Sequence, residues 1–385
     1  MRTKKNKRSV FYRLSVWLHL WLGLVSGIVV VLVSLTAAAL VFEDELRVWL
    51  QPYQTVSVPA AGNRTFLPPS VLSKAVMDKY KIPSVYGVFY RGEQRSATVP
   101  YYGDPSQYQV VYVNPYTAEV LKQQFVAKDF FWQMIVGHYE LWLPKRFGMA
   151  VVSYGTLIFV ITLFTGLVLW WPKKWNKSTR KQSFFIKVKG SFKRLNYDLH
   201  NVLGFYSLLI ALILGLTGMM YGLKWFNKTV YFLSAKGQVK EYRSVKRNKL
   251  PVSDTTLVAS GILPDEDRIF SQLEQNPENS NQRISILYPY GKTGVWSFGV
   301  NPDADKKFRE VTSYYEQHSL KLLKKDPEFY KAKFEDQVMR VNYDLHVGAI
   351  GGMSTKILAF IACLISASLP ITGFIIWWGK KKKSK

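Results

Sequence analysis

Four long apolar runs divide the chain, from about Leu14 to Phe42, Phe147 to Trp171, Leu199 to Leu223 and Lys356 to Trp378. Each is long enough for a helix to cross the roughly 30 Å hydrocarbon core of a bilayer, so the pattern predicts four membrane spans. The first follows a basic tip, as a secretory signal does, and Ala37-Ala38-Ala39 has the small side chains of a cleavage site. A signal core runs only about 7–15 apolar residues; this longer run reads as an uncleaved span. The polar stretches between the runs carry shorter patterns. Ser70 to Tyr80 has helical spacing, and Tyr108 to Val113 alternates as a strand. Asn114-Pro115-Tyr116-Thr117 turns that strand back into Ala118 to Gln124, and Pro68-Pro69 and Gly103-Asp104-Pro105 mark further turns. Later, Arg283 to Tyr288 and Val295 to Val300 are strand-like. Two α+β domains outside the membrane follow, one in each long polar stretch.

Charge orients the spans. The formal net charge is +26, and the basic residues gather beside apolar runs in three blocks, Arg2 to Arg13, Lys173 to Arg194 and Lys380 to Lys385. Lys and Arg next to spans mark the cytoplasmic side, which sets an order along the chain. Residues 1–13 form a cytoplasmic tip, 14–42 the first span, 43–146 an outside domain and 147–171 the second span. Residues 172–198 form a cytoplasmic loop, 199–223 the third span, 224–355 a second outside domain, 356–378 the fourth span and 379–385 a cytoplasmic tail. The basic patch Lys240 to Lys249 falls on the outside, where long loops cross regardless of charge. No nucleic-acid recognition motif accompanies the charge, so the expected partner of the basic blocks is the lipid bilayer. The single cysteine, Cys363, lies within the last run and reads as a packing residue. It allows no intrachain disulfide, and the chain has no Cys-x-x-Cys-His for covalent haem attachment.

The chain reads as an internal two-fold duplication of span, outside domain, span. His19 precedes Thr36 by the same seventeen residues that separate His200 from Thr217, and each histidine has glycine four residues on, Gly23 and Gly204. His138 precedes Thr165-Gly166 and Trp170-Trp171 at nearly the interval by which His346 precedes Thr372-Gly373 and Trp377-Trp378. Four of the five histidines therefore stand at or just before an apolar run. With successive spans antiparallel, His19 and His200 lie near the cytoplasmic face and His138 and His346 near the outer face.

A neutral imidazole is the commonest nitrogen ligand of metals and an axial ligand of haem iron. Two from different helices can hold one iron, and a glycine one turn after His19 and His200 leaves room for a flat ring. Gly348, Gly351 and Gly352 offer the same after His346. The competing account has these histidines, with Asn196, Asp198, Asn342 and Asp344, capping helix starts. The repeated phrase Asn-Tyr-Asp-Leu-His, at 196–200 and 342–346, leaves both readings open. His318, in Glu316-Gln317-His318-Ser319, has no counterpart and reads as a solvated side chain.

Leu345-His346-Val347-Gly348, Thr372-Gly373, Trp377-Trp378 and the Val113-Asn114-Pro115-Tyr116-Thr117 turn together resemble the PepSY-associated transmembrane family of bacterial iron-regulated membrane proteins. The resemblance implies an α-helical four-span bundle in the inner membrane with two periplasmic α+β, PepSY-like insertions. It also implies two non-covalent b-type haems, with His19 and His200 on the inner one and His138 and His346 on the outer one. The implied activity is ferric-siderophore or other ferric-chelate reduction. Two departures stand out. Tyr315-Glu316-Gln317-His318 replaces the Val113-Asn114-Pro115-Tyr116 pattern in the second insertion, and His138 is followed by Tyr139-Glu140-Leu141-Trp142 with no early glycine. No Gly-x-Gly-x-x-Gly follows a strand, so the electron donor is a separate flavoprotein or quinol. A non-catalytic protein whose outer domains hold a periplasmic peptidase or the envelope is the alternative. A carrier of the chelate itself would need broken helices or charges at mid-span, and the four runs have no Asp, Glu, Lys or Arg deep inside.

Overall fold

A computed structural model describes residues 9–60, 65–103, 107–238, 250–254, 264–273 and 282–381. The patch Lys240 to Lys249, the turn at Asp104-Pro105, most of the basic tip and most of the lysine tail lie outside the described residues. Two compact units account for the rest: residues 1–42, 134–229 and 345–385 make one, and 43–133 and 230–344 the other.

Among the described residues the first unit holds four helices long and apolar enough to cross a membrane: α1, Val10–Val41; α2, Lys145–Trp170; α3, Phe192–Gly222; and α4, Met353–Lys381. Helix α1 packs against α2 and α4, and α3 packs against the same two, so α1 and α3 lie diagonally across the bundle. Its buried residues include many small and polar ones, Ser26, Thr36, Ser153, Thr162, Ser207 and Ser366, beside an apolar cluster of Val160, Met219 and Leu223, while Ile28, Phe164, Leu209 and Ile371 are exposed. Large apolar side chains on the outside suit lipid as solvent, and small residues inside let helices approach closely. A Cβ on Gly155 would stand 2.8 Å from Val29, and one on Gly215 the same distance from Val160.

Among the described residues the second unit is built on one eight-stranded antiparallel sheet. The strands are β1, Gly87–Tyr90; β2, Ala97–Gly103; β3, Gln107–Val113; β4, Val120–Phe125; β5, Arg283–Leu287; β6, Val295–Asn301; β7, Val311–Glu316; and β8, Leu322–Lys325. Their order is β4-β3-β2-β1-β5-β6-β7-β8. Each polar stretch contributes a four-stranded meander, and the two join edge to edge where Val88 pairs with Ile286 and Phe89 with Ser285. The sequence reading of two separate outside domains thus gives way to a single sheet. Joining β1 to β5 removes an exposed edge from each meander, and exposed edges are sites of uncontrolled pairing. Alternate residues Val88, Tyr90, Val99, Val111, Ile284, Ile286 and Phe298 form one core with Leu72 and Val76 of the helix Pro69–Tyr80 and with Ile269 and Phe270 of the helix Asp265–Leu273. Hydrophobic side chains so buried each contribute about 1.5–3 kcal/mol.

The departure at Glu316 leaves the turn intact. After β3, the Asn114 amide donates to the Glu119 carbonyl (2.8 Å), its side chain accepts from the Tyr116 amide (2.9 Å), and Ala118 takes φ 60°. After β7, the Glu316 amide donates to the Lys321 carbonyl (2.9 Å), its carboxylate accepts from the His318 amide (2.9 Å), and Leu320 takes φ 55°. A carboxylate does at 316 what an amide does at 114.

Candidate functional site

The four histidines that the spacing singles out form two close pairs within the helical unit. The ring centres of His19 and His200 are 6.1 Å apart, with planes at 81°. Those of His138 and His346 are 6.0 Å apart, at 52°. Each pair crosses between the α1–α2 half and the α3–α4 half of the bundle.

One device repeats at all four rings. His19 Nδ1 lies 3.1 Å from the Thr162 carbonyl and 3.2 Å from the Thr165 hydroxyl on α2. His138 Nδ1 lies 3.0 Å from the Val33 carbonyl and 3.3 Å from the Thr36 hydroxyl on α1. His346 Nδ1 lies 3.2 Å from the Leu214 carbonyl and 3.0 Å from the Thr217 hydroxyl on α3. His200 Nδ1 meets the Thr372 hydroxyl on α4 at 2.9 Å, with the Leu369 carbonyl as its backbone partner. In every case the carbonyl belongs to the residue three before the threonine. Each threonine hydroxyl donates into its own helix, to the carbonyls three and four residues back. A carbonyl can only accept, and the hydroxyl proton is already engaged, so Nδ1 carries the imidazole proton. Nε2 is left with the lone pair that binds metals.

Helix pairs exchange this contact. Helix α1 gives His19 to α2 and supplies Thr36 to His138, while α3 gives His200 to α4 and supplies Thr217 to His346. The residue after the threonine is small each time. A Cβ on Gly166, Gly218 or Gly373 would stand 3.1, 3.1 or 3.2 Å from Cε1 of His19, His346 or His200; at the His138 position the residue is Ala37.

His200 lies in a π-helical turn, Leu199–Leu203, inside α3. Such turns concentrate at functional sites because the extra residue re-aims a side chain. His138 and His346 lie in the helices Phe130–Glu140 and Phe334–His346, ahead of α2 and α4. The chain leaves both through left-handed residues, Leu141 and Trp142 at φ 53° and 55° in one and Gly348 and Gly352 at 74° and 68° in the other. Gly348 and Gly352 therefore serve the turn. Thr355 Oγ1 also fills the neighbourhood, donating to the Gly348 carbonyl (2.6 Å) and accepting from the Gly351 amide (2.9 Å). Gly23 differs: a Cβ there meets nothing within 4 Å, whereas one on Gly204 meets Leu369 at 3.5 Å.

The Asn and Asp of the repeated phrase do not cap helix starts, because their helices begin earlier, at Phe192 and Phe334. Asn196 donates to the Thr372 carbonyl at 3.0 Å, binding α3 to α4 beside His200. Buried Asp198 accepts from the Lys187 amide (3.1 Å) and from Arg194 Nε (2.9 Å). Asp344 accepts from the amides of Lys307 (2.9 Å) and Phe308 (3.0 Å). Both aspartates hold passing backbone in place. His318 is half-buried beside Asp265, Tyr288 and Trp296 in a recess of the sheet unit.

Among the described residues no three His, Cys, Asp or Glu side chains gather into a metal cluster. Two imidazole nitrogens on opposite sides of one metal ion, each about 2 Å from it, put ring centres roughly 6 Å apart, the spacing of both pairs. The model of the PepSY-associated TM region matches residues 16–380 of this chain. Comparison with curated proteins gives no match.

Proposed function

The chain belongs to the PepSY-associated transmembrane family, and from that premise we propose a dihaem electron-transfer protein of the bacterial inner membrane that reduces ferric iron in a siderophore or other chelate on the periplasmic side. The carrying observation is the pair of histidine couples at 6.1 and 6.0 Å, with every Nδ1 engaged on a neighbouring helix. The residues fit b-type haem: Nε2 of His19 and of His200 would hold one, and Nε2 of His138 and of His346 the other. Open space at Gly23, one helical turn from His19, suits a flat ring.

Bound in such pairs, haem iron supplies one-electron transfer. The chain's own residues do the rest. The carbonyl and threonine at each Nδ1 fix the tautomer and ring orientation and raise ligand basicity. The apolar helices keep water from the pairs, and the π turn aims His200 across the diagonal. The basic segment 173–194 sets its side in the cytoplasm, with both termini. His19 and His200 then face the donor, a flavoprotein or quinol, and His138 and His346 face the chelate. Iron as Fe(II) is held more weakly by hard oxygen ligands, so reduction favours release. The exchanged histidine–threonine contacts and the mirrored strand order support an internal duplication.

Purified full-length protein should show b-type absorbance that changes with dithionite, with two haems per chain. His19→Ala or His200→Ala should leave one, His138→Ala or His346→Ala the other one, and the fourfold variant none. Absence of haem, or unchanged content in the fourfold variant, overturns the reading. Cellular function kept in the fourfold variant and lost only on truncating the outer sheet would favour the non-catalytic alternative.

A further inference from the structure

We propose that the segment after α2 is a binding site for the phosphate headgroup of anionic phospholipid. Residues 173–194 contain seven lysines and two arginines and no carboxylate. Of these nine, Arg194 alone makes an ion pair among the described residues, with Asp198. The helix Lys177–Phe184, opened by a reciprocal Asn176–Thr179 cap, turns Lys177, Arg180 and Lys181 to the surface. With Trp175, Asn176 and Phe185 these three line a cavity of 610 Å³.

Aromatic packing fixes this helix to the bundle end. Trp170 of α2 stacks on Phe205 of α3 at 3.7 Å and donates from its indole to the Ser183 carbonyl (3.1 Å), and Phe184 meets Phe205 edge-on at 5.5 Å. The Tyr206 hydroxyl donates to the Phe184 carbonyl at 3.2 Å. The cavity is therefore held at the level where α2 ends in Trp170-Trp171, the depth of an interfacial aromatic belt.

Around it, exposed Trp171, Phe185, Val188 and Phe192 alternate with exposed Lys173, Lys187, Lys189 and Lys193. Exposed aromatics set among unpaired cations describe an element lying in the headgroup layer, and basic pockets at the cytoplasmic ends of spans take anionic headgroups. A soluble anion would gain nothing from the apolar rim. A phospholipid satisfies both parts at once, phosphate on Lys177, Arg180 and Lys181 and acyl chain along Trp175 and Phe185.

Native mass spectrometry of the full-length protein in detergent, titrated with phosphatidylglycerol or phosphatidylcholine, tests this. Wild type should retain phosphatidylglycerol preferentially. K177Q/R180Q/K181Q should lose that preference by on the order of 100-fold, while K122Q/K321Q/K325Q, with the same charge removed from exposed sites on the sheet, should keep it. Equal retention by the first variant, equal loss in both, or displacement of the lipid by inorganic phosphate overturns the proposal.

Discussion

His200 Nδ1 and Thr372 Oγ1 are 2.9 Å apart, and the threonine proton is already given to the Ser368 and Leu369 carbonyls, so the hydroxyl receives the imidazole proton. Thr372→Val keeps the shape and removes this acceptor. Partners of metal-binding histidines of this kind are worth about 10–100-fold in affinity. Thr372→Val should speed haem loss from the His19–His200 pair by that factor, measured by transfer to a globin acceptor, and Thr165→Val should act on the same pair. Thr36→Val and Thr217→Val should affect the other pair alone. Equal loss from both pairs in any one variant would count against pairwise ligation.

Gly23 and Gly166 separate two uses of glycine beside one ring. A Cβ at 166 stands 3.1 Å from His19 Cε1, and the ring is held at Nδ1 by Thr162 and Thr165, so Gly166→Ala should displace it by a few tenths of an ångström and cost on the order of 1 kcal/mol even without cofactor. Nothing stands within 4 Å of a Cβ at 23. Gly23→Leu should leave the cofactor-free protein no less stable, since leucine favours a helix over glycine by roughly 1 kcal/mol, while removing one haem per chain. Full haem content in that variant would show that the space by Gly23 is not used by the ring.

Spans and histidines were readable because both depend on local sequence: runs of apolar residues and the offsets of His19, His138, His200 and His346 within them. The threonines were visible as landmarks at fixed offsets, but their role was not, since Thr165 serves His19 from another helix 146 residues away. The π turn at Leu199–Leu203 leaves no periodic trace. The capping account of Asp198 and Asp344 draws on hydropathy, which rises only after them, whereas their helices start an amphipathic turn or more earlier, at Phe192 and Phe334. The pairing of β1 with β5 joins segments nearly two hundred residues apart, and strand alternation is the same whichever neighbour an edge finds.

That joint makes a test. Ile286 is fully buried beside Val88 in the shared core. Ile286→Ala removes three carbons from a packed site and should cost about 2–5 kcal/mol. Because one core serves both meanders, amide exchange should quicken in β3, from the first meander, as much as in β6. Quickening confined to β5–β8 would mean that the two meanders unfold separately.

Glu316 gives the sheet unit an acid-sensitive clasp. Its side chain is 3% exposed, and burial alone would raise its pKa. The Ser253 hydroxyl, the amide and hydroxyl of Ser319 and the His318 amide all donate to the carboxylate and bring it down to about 2. An unfolded glutamate titrates near 4.3. Between those values the unfolded chain binds the extra proton, so this contribution is full above about pH 4.5 and is lost as pH falls toward 2. Glu316→Gln keeps the size but loses the charge on those donors, and should cost on the order of 2 kcal/mol at neutral pH. The penalty should shrink as pH is lowered through that window, measured by denaturant unfolding followed by amide exchange in β7. A penalty independent of pH between 5 and 2.5 would mean that the carboxylate is not the charged acceptor its four donors require.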